Sequence, residues 1–208
     1  LKRIYLINIY IPERDEWREF GVHQFDNSID EFVSFAEEYA DYFWVGFNCI
    51  SYDSQIVEHI LRNSQYWHDK DWKEICLELF QKSIDTISDS NYGLLPFYRE
   101  NQLSIKQLDL FTIFHFNNEN RRTSLKAVAV ALNIEDIEEL PISPYAEHLT
   151  FEDITRLSLY CRKDVTDTYQ LYLVARGLTE NPLYKGKDKI ADRLIMKEEF
   201  GLDCLNWD

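Results

Sequence analysis

Residues 43–53 read Phe-Trp-Val-Gly-Phe-Asn-Cys-Ile-Ser-Tyr-Asp. The run from Phe43 to Asn48 is short and apolar, the length of a strand and too short for a helix. Asp53 then opens a segment with Ile56, Val57, Ile60 and Leu61 at helical spacing. Strand, turn and helix in this order are the building unit of α/β proteins. The strand reads as buried and central, and the turn after its C-terminal end is where such proteins build sites.

Upstream, residues 4–12 (IYLINIYIP) are rich in β-formers and stop at Pro12, so they form a strand. Residues 14–21 read as a charged turn, and residues 22–25 as a short return strand that closes a hairpin. Ser28 is the expected cap of a helix near 29–41, with Phe32, Phe35, Ala36 and Tyr39 on its apolar face. Downstream, residues 64–100 read as an insertion with a helix near 69–88. Residues 104–113 (SIKQLDLFTI) read as a further strand.

A polar loop (117–122) leads to a helix over 124–133. Thr150-Phe-Glu-Asp153 resembles a capping box and starts a long helix to about residue 175. Gly177, Pro182 and Gly186 mark a break, and residues 188–200 read as a last helix. The expected organisation is one α/β domain over 1–178, followed by a helical connection over 179–208.

The chain has 208 residues and a formal net charge of −15. Duplex-binding proteins usually present a basic face, so this balance argues against a broad nucleic-acid groove. It still permits an enzyme that holds a few nucleotides through metal ions. Cys49, Cys76, Cys161 and Cys204 show no C-x-x-C spacing, so they read as free thiols of a reducing compartment rather than a zinc site. No apolar run approaches the ~18 residues of a membrane span. The expected setting is cytoplasmic.

Two clusters carry the chemistry. The first is Asn48-Cys-Ile-Ser-Tyr-Asp53 at the strand end. Taken alone, Asp53 reads equally as a metal ligand or as the cap of the helix it opens. The second is Tyr160-Cys-Arg-Lys-Asp164, whose i, i+4 spacing puts phenol and carboxylate on one helix face. Alone, that pair fits an ordinary helix surface better. Together the carboxylates suit Mg²⁺ or Mn²⁺, and two such ions about 4 Å apart can cleave a phosphodiester.

Asn48-x-x-x-Tyr52-Asp53 resembles the second exonuclease motif of family B DNA polymerase proofreading domains. Tyr160-x-x-x-Asp164 resembles their third motif, in the tyrosine subclass of the DEDD 3′–5′ exonucleases. Residues 124–131 are similar to a Lys-containing segment between those motifs in protein-primed polymerases, and Leu108-Asp109-Leu110 resembles a strand common in the superfamily.

The resemblance implies a ribonuclease H-like mixed sheet flanked by helices. It implies a two-metal exonuclease acting on a single-stranded DNA 3′ end, with a phage-like polymerase domain in cis. Asp53 and Asp164 would hold the metals, Tyr160 would orient the attacking water, and Lys126 would neutralise phosphate charge. Asn48 and Tyr52 would hold the terminal nucleotides, and Arg121 and Arg122 would touch DNA backbone. Asp109 reads as structural.

The family's first motif, Asp-x-Glu on the first strand, has no counterpart near this N-terminus. The strand is expected upstream of Leu1. A fold that has lost catalysis and serves as a single-strand-binding or structural module is the alternative.

Overall fold

The computed structural model describes residues 4–91, 96–115, 124–134, 140–143, 146 and 149–176. The expected connection over 179–208, Arg121, Arg122 and Cys204 lie outside them.

The chain opens with a hairpin. Strand β1 (Tyr5–Ile11) pairs antiparallel with β2 (Glu16–His23), in register from Tyr5↔Val22 to Ile11↔Glu16, and β2 pairs with the short β3 (Asp26–Asn27). The return strand therefore takes in most of the segment expected as a charged turn. The reversal is tighter, a 3-10 turn over Pro12–Arg14 with Asp15 in the left-handed region.

Helix α1 (Ile29–Glu38) starts after Ser28 as expected. The Ser28 hydroxyl leaves the helix uncapped and serves β2 instead, accepting from Gly21 N at 2.8 Å and donating to Asp26.

The second sheet is smaller. Strand β4 (Trp44–Gly46) pairs in parallel with β5 (Gln107–Asp109). Helix α2 (Asp53–Asn63) follows β4, and α3 (Trp72–Asn91) fills the insertion. Two expectations change here. Among the described residues strand β4 has β5 as its one sheet partner, and Val45 is exposed, so it is a half-buried edge there rather than the buried central strand expected.

The strand expected over 104–113 stops at Asp109. The chain turns there into α4 (Leu110–His115), because the Asp109 carboxylate accepts from Phe111 N and so caps the new helix. Helix α5 (Leu125–Ala131) is capped by Ser124, and α6 (Phe151–Ala175) by a reciprocal Thr150–Asp153 box.

Period-2 alternation splits β1 between two cores. Tyr5, Ile7 and Ile9 join Phe32, Ile56, Ile60 and Leu79 from α1, α2 and α3. Ile4 and Leu6 turn the other way, onto Leu149, Ile154 and Leu157. Helix α6 is further tied to β2, where Glu19 accepts from Ser158 and pairs with Arg162. The architecture is mixed α/β, with helices on both faces of two small sheets.

Polar ties fix α2. Buried Glu58 accepts from Arg62, Ser104 N and Ser104 Oγ, which holds α2 to the approach of β5. His59 pairs with Glu78 of α3 and with Asn63, so it is satisfied within the fold.

Leu79 is wholly buried among the helices that carry Asp53. Leu79→Ala is expected to lose about 2–5 kcal/mol in urea unfolding, the cost of a core cavity. A loss below about 1 kcal/mol would mean that α3 is not part of this core.

Candidate active site

Gly46 ends β4, and the chain folds back over it. A Cβ there would meet the Cys49 Cβ at 2.5 Å, so the return requires glycine. Asn48 turns the corner at φ 58°, in the left-handed region that Asn tolerates better than most residues.

Asp109, at the end of the neighbouring strand, holds the turned backbone. Its Oδ1 accepts from Asn48 N at 2.7 Å and its Oδ2 from Ile50 N at 3.1 Å. With Phe111 N, it serves three backbone donors from a buried position. Burial pushes its pKa up to about 6 against those hydrogen bonds. Asp109 is thus structural, and its task is to aim the loop that delivers Asp53.

Asp53 is the first helical residue of α2. The N-cap position belongs to Tyr52, with no side-chain cap bond. The capping role therefore does not account for Asp53. Asp53 is exposed at its surface and lines a cleft of about 2090 Å³. The protein mass packed around the carboxyl, and then the Asp109 and Asp164 charges, push its pKa up to about 7 despite that exposure, against a hydrogen bond from its own backbone.

Neighbouring acids respond in the same way. The Tyr5 phenol is pushed up by burial, Tyr52 and Asp53. Burial, with Asp109 and Asp53, pushes the Cys49 thiol up. The Cys161 thiol is pushed up to about 11 by burial, Asp164, Glu19 and Asp53. Burial and the neighbouring carboxylates thus disfavour ionisation of Tyr5, Cys49 and Cys161.

The other wall is α6. Tyr160 and Asp164 share one face of it, and Lys126 of α5 bridges them. Lys126 Nζ donates to Tyr160 Oη at 2.8 Å, lies 4.1 Å from the Tyr160 ring centroid, and is 3.9 Å from Asp164 Oδ1. Asp53, Tyr52, Asn48, Tyr160 and Asp164 all line the same cleft. Asn48 is exposed there, and Tyr52 is half-buried beside Tyr5.

Of the residues expected from the sequence, Asn48, Tyr52, Asp53, Tyr160 and Asp164 line one broad cleft, and Lys126 contacts Tyr160 and Asp164. Tyr5 and Gly46 were not legible as site residues. Gly46 carried a signal, a glycine at the end of a strand followed by a turn, and Tyr5 carried none.

The donor set has the right chemistry for one hard cation, two carboxylates beside a phenol. Among the described residues no group of three or more His, Cys, Asp or Glu side chains gathers at one point. Two ions would need further oxygen donors than Asp53 and Asp164 provide. Comparison of the chain with protein-family models, curated proteins and solved structures returns no match.

Asp109→Ala strands three backbone N–H groups and is expected to cost about 3 kcal/mol in urea unfolding. An unchanged midpoint would remove Asp109 from its anchoring role. Asp53 gives a signed pH effect. Its folded pKa lies above the ordinary value, so it favours folding while protonated, and that advantage is lost as pH rises through about 7. Asp53→Asn is expected to melt above the wild type at about pH 8, with the gap closing toward about pH 4. A gap that stays constant with pH would contradict the shift.

Proposed function

We propose that the protein is a metal-dependent 3′–5′ exonuclease, the proofreading part of a phage-like DNA polymerase. One observation carries the reading. Asp53 at the start of α2 lines the same cleft as Tyr160 and Asp164 of α6, with Lys126 in reach of the last two.

The order of elements gives the fold its place in the same reading. An antiparallel hairpin, then a parallel pair, then a long covering helix suit a ribonuclease H-like sheet. The parallel pairing of β4 and β5 puts Asp109 and the turn leading to Asp53 at one end of that sheet.

The residues then act as follows. Asp53 and Asp164 would hold one cation between them, and its charge would relieve the pushed-up pKa of Asp53; a second ion would need further oxygen donors. Bound Mg²⁺ or Mn²⁺ supplies charge neutralisation at the phosphodiester and a more acidic water. Tyr160 accepts from Lys126, which leaves its own hydroxyl hydrogen to orient the attacking water. Lys126 faces the charge that builds on the phosphate. Asn48 and Tyr52 sit at the cleft wall where the last nucleotides of a single strand would lie.

The net charge of −15 fits a substrate gripped over a few nucleotides, with the wider groove on the polymerase domain in cis. A cytoplasmic setting follows from this reading. Among the described residues no helix is long and apolar enough to cross a membrane.

The test uses the full natural polypeptide and a 5′-labelled single-stranded oligonucleotide with Mg²⁺. Asp164→Ala is expected to abolish stepwise shortening from the 3′ end while the melting transition persists. Tyr160→Phe is expected to slow it about 10- to 100-fold, less than Asp164→Ala, because it removes a positioning hydroxyl and not a metal ligand. Undiminished shortening by Asp164→Ala would falsify the assignment. Binding of the oligonucleotide without any shortening by the wild type would favour the non-catalytic module.

A further inference from the structure

Helix α3 brings a different kind of surface to the cleft. Phe80, Ile84 and Ile87 follow one another at i, i+4 and i+7, so they share one helix face, and all three line the cleft. The core is served by another face of the same helix, through Ile75, Cys76 and Leu79. Ile84 and Ile87 are left 45% and 46% exposed.

Phe97 adds to this wall. It lines the cleft and is 68% exposed. Lys82 ties it to α3, with Nζ 4.3 Å from the ring centroid. Tyr98 braces it edge-on, with centroids 4.8 Å apart and planes at 89°. A single exposed apolar side chain is ordinary. Three of them along one cleft, which also holds Tyr52 and Asp53, make a surface that a ligand can cover.

Charge decides which part of a nucleic acid this wall takes. The charged side chains that line the cleft are Glu13, Asp53, Asp89 and Asp164, all acidic. Phosphates are held by cations, so beside these acids a phosphate gains most where a metal ion sits. Bases are uncharged, and each has a π-face that rests on aromatic or apolar side chains whatever its identity. The end of a single strand offers both parts, a phosphate for Asp53 and Asp164 with their cation and bases for the wall.

We infer that Ile84, Ile87 and Phe97 form a base-binding wall, which holds the unpaired terminal bases of the strand through stacking and apolar contact. The occupant rests on the exonuclease reading. The wall gives the insertion over 64–100 a task. It favours ends whose bases are splayed free, because a paired base stays within its own stack, and it is indifferent to base identity.

The test uses the full natural polypeptide with Mg²⁺ and a single-stranded oligonucleotide ending in 2-aminopurine, whose fluorescence is quenched by stacking. Its last linkage is an uncharged methylphosphonate, which blocks hydrolysis there. Phe97→Ala and Ile87→Ala are each expected to weaken binding about 10-fold in titrations of the quenching. Their melting transitions are expected to stay at the wild-type value, since both side chains are exposed. A 5′-labelled oligonucleotide with abasic 3′ residues, followed by anisotropy, is expected to bind wild type and variants equally. Equal quenching titrations in wild type and both variants overturn the wall, and so does the same loss on the abasic strand. Shortening of a natural oligonucleotide is recorded on the same samples. Shortening with equal quenching keeps the exonuclease and removes the wall. Quenching that depends on Ile87 and Phe97 without shortening upholds the wall and counts against the exonuclease.

Discussion

The Asp109 carboxylate is the contact on which the site depends. It sits at the end of β5, buried, and accepts from Asn48 N, Ile50 N and Phe111 N. Two of these bonds cross between parallel strands and catch the chain where it leaves β4. The third starts α4. A charge in a buried position is costly unless its lone pairs are satisfied, and here the satisfaction is what fixes the backbone. The left-handed turn at Asn48 and the missing side chain at Gly46 let the loop reach it. Asp53 then starts α2 at a defined point in the cleft. Without this anchor the carboxylate of Asp53 would have no fixed partner across the gap.

The second constraint is electrostatic. Asp53, Asp109 and Asp164 bring negative charge to one region, with Asp109 buried, and Asp53, Tyr5, Cys49 and Cys161 are all driven toward their neutral forms. Folding alone would not select such an arrangement, because ionised like charges in a poorly solvated place weaken the fold. Lys126 offsets part of it on the α6 side, but it is engaged with Tyr160 and stands 3.9 Å from Asp164. Under the proposed function, a divalent cation shared by Asp53 and Asp164 would offset the remainder.

Much of this was legible in the sequence. The strand before Asp53, the helical spacing after it and the i, i+4 pair of Tyr160 and Asp164 survive in the structure because each rests on local periodicity. The hairpin at 4–23 was legible in outline, but β2 came out longer, since pairing with β1 overrides the polar look of Glu16–Glu19. The strand at 104–113 was cut short at Asp109, because a side chain capped a helix where the apolar run alone predicts extension. Burial of β4 was misjudged for a different reason. Its sequence fits a strand covered on both sides, and the described residues leave one edge uncovered. Tyr5 beside Asp53 was invisible, since strand and loop meet there only through tertiary packing. Whether Arg121 and Arg122 approach the cleft lies outside the described residues.

The central claim is that Asp53 and Asp164 share one divalent cation. Anomalous scattering from crystals of the full natural polypeptide soaked in Mn²⁺ measures it most directly. The account predicts a peak bonded to an oxygen of each carboxylate, at about 2.2 Å, and its loss in Asp164→Ala. Carboxylates more than about 10 Å apart with no peak between them would contradict it, since one cation cannot bond to both at about 2.2 Å over that distance.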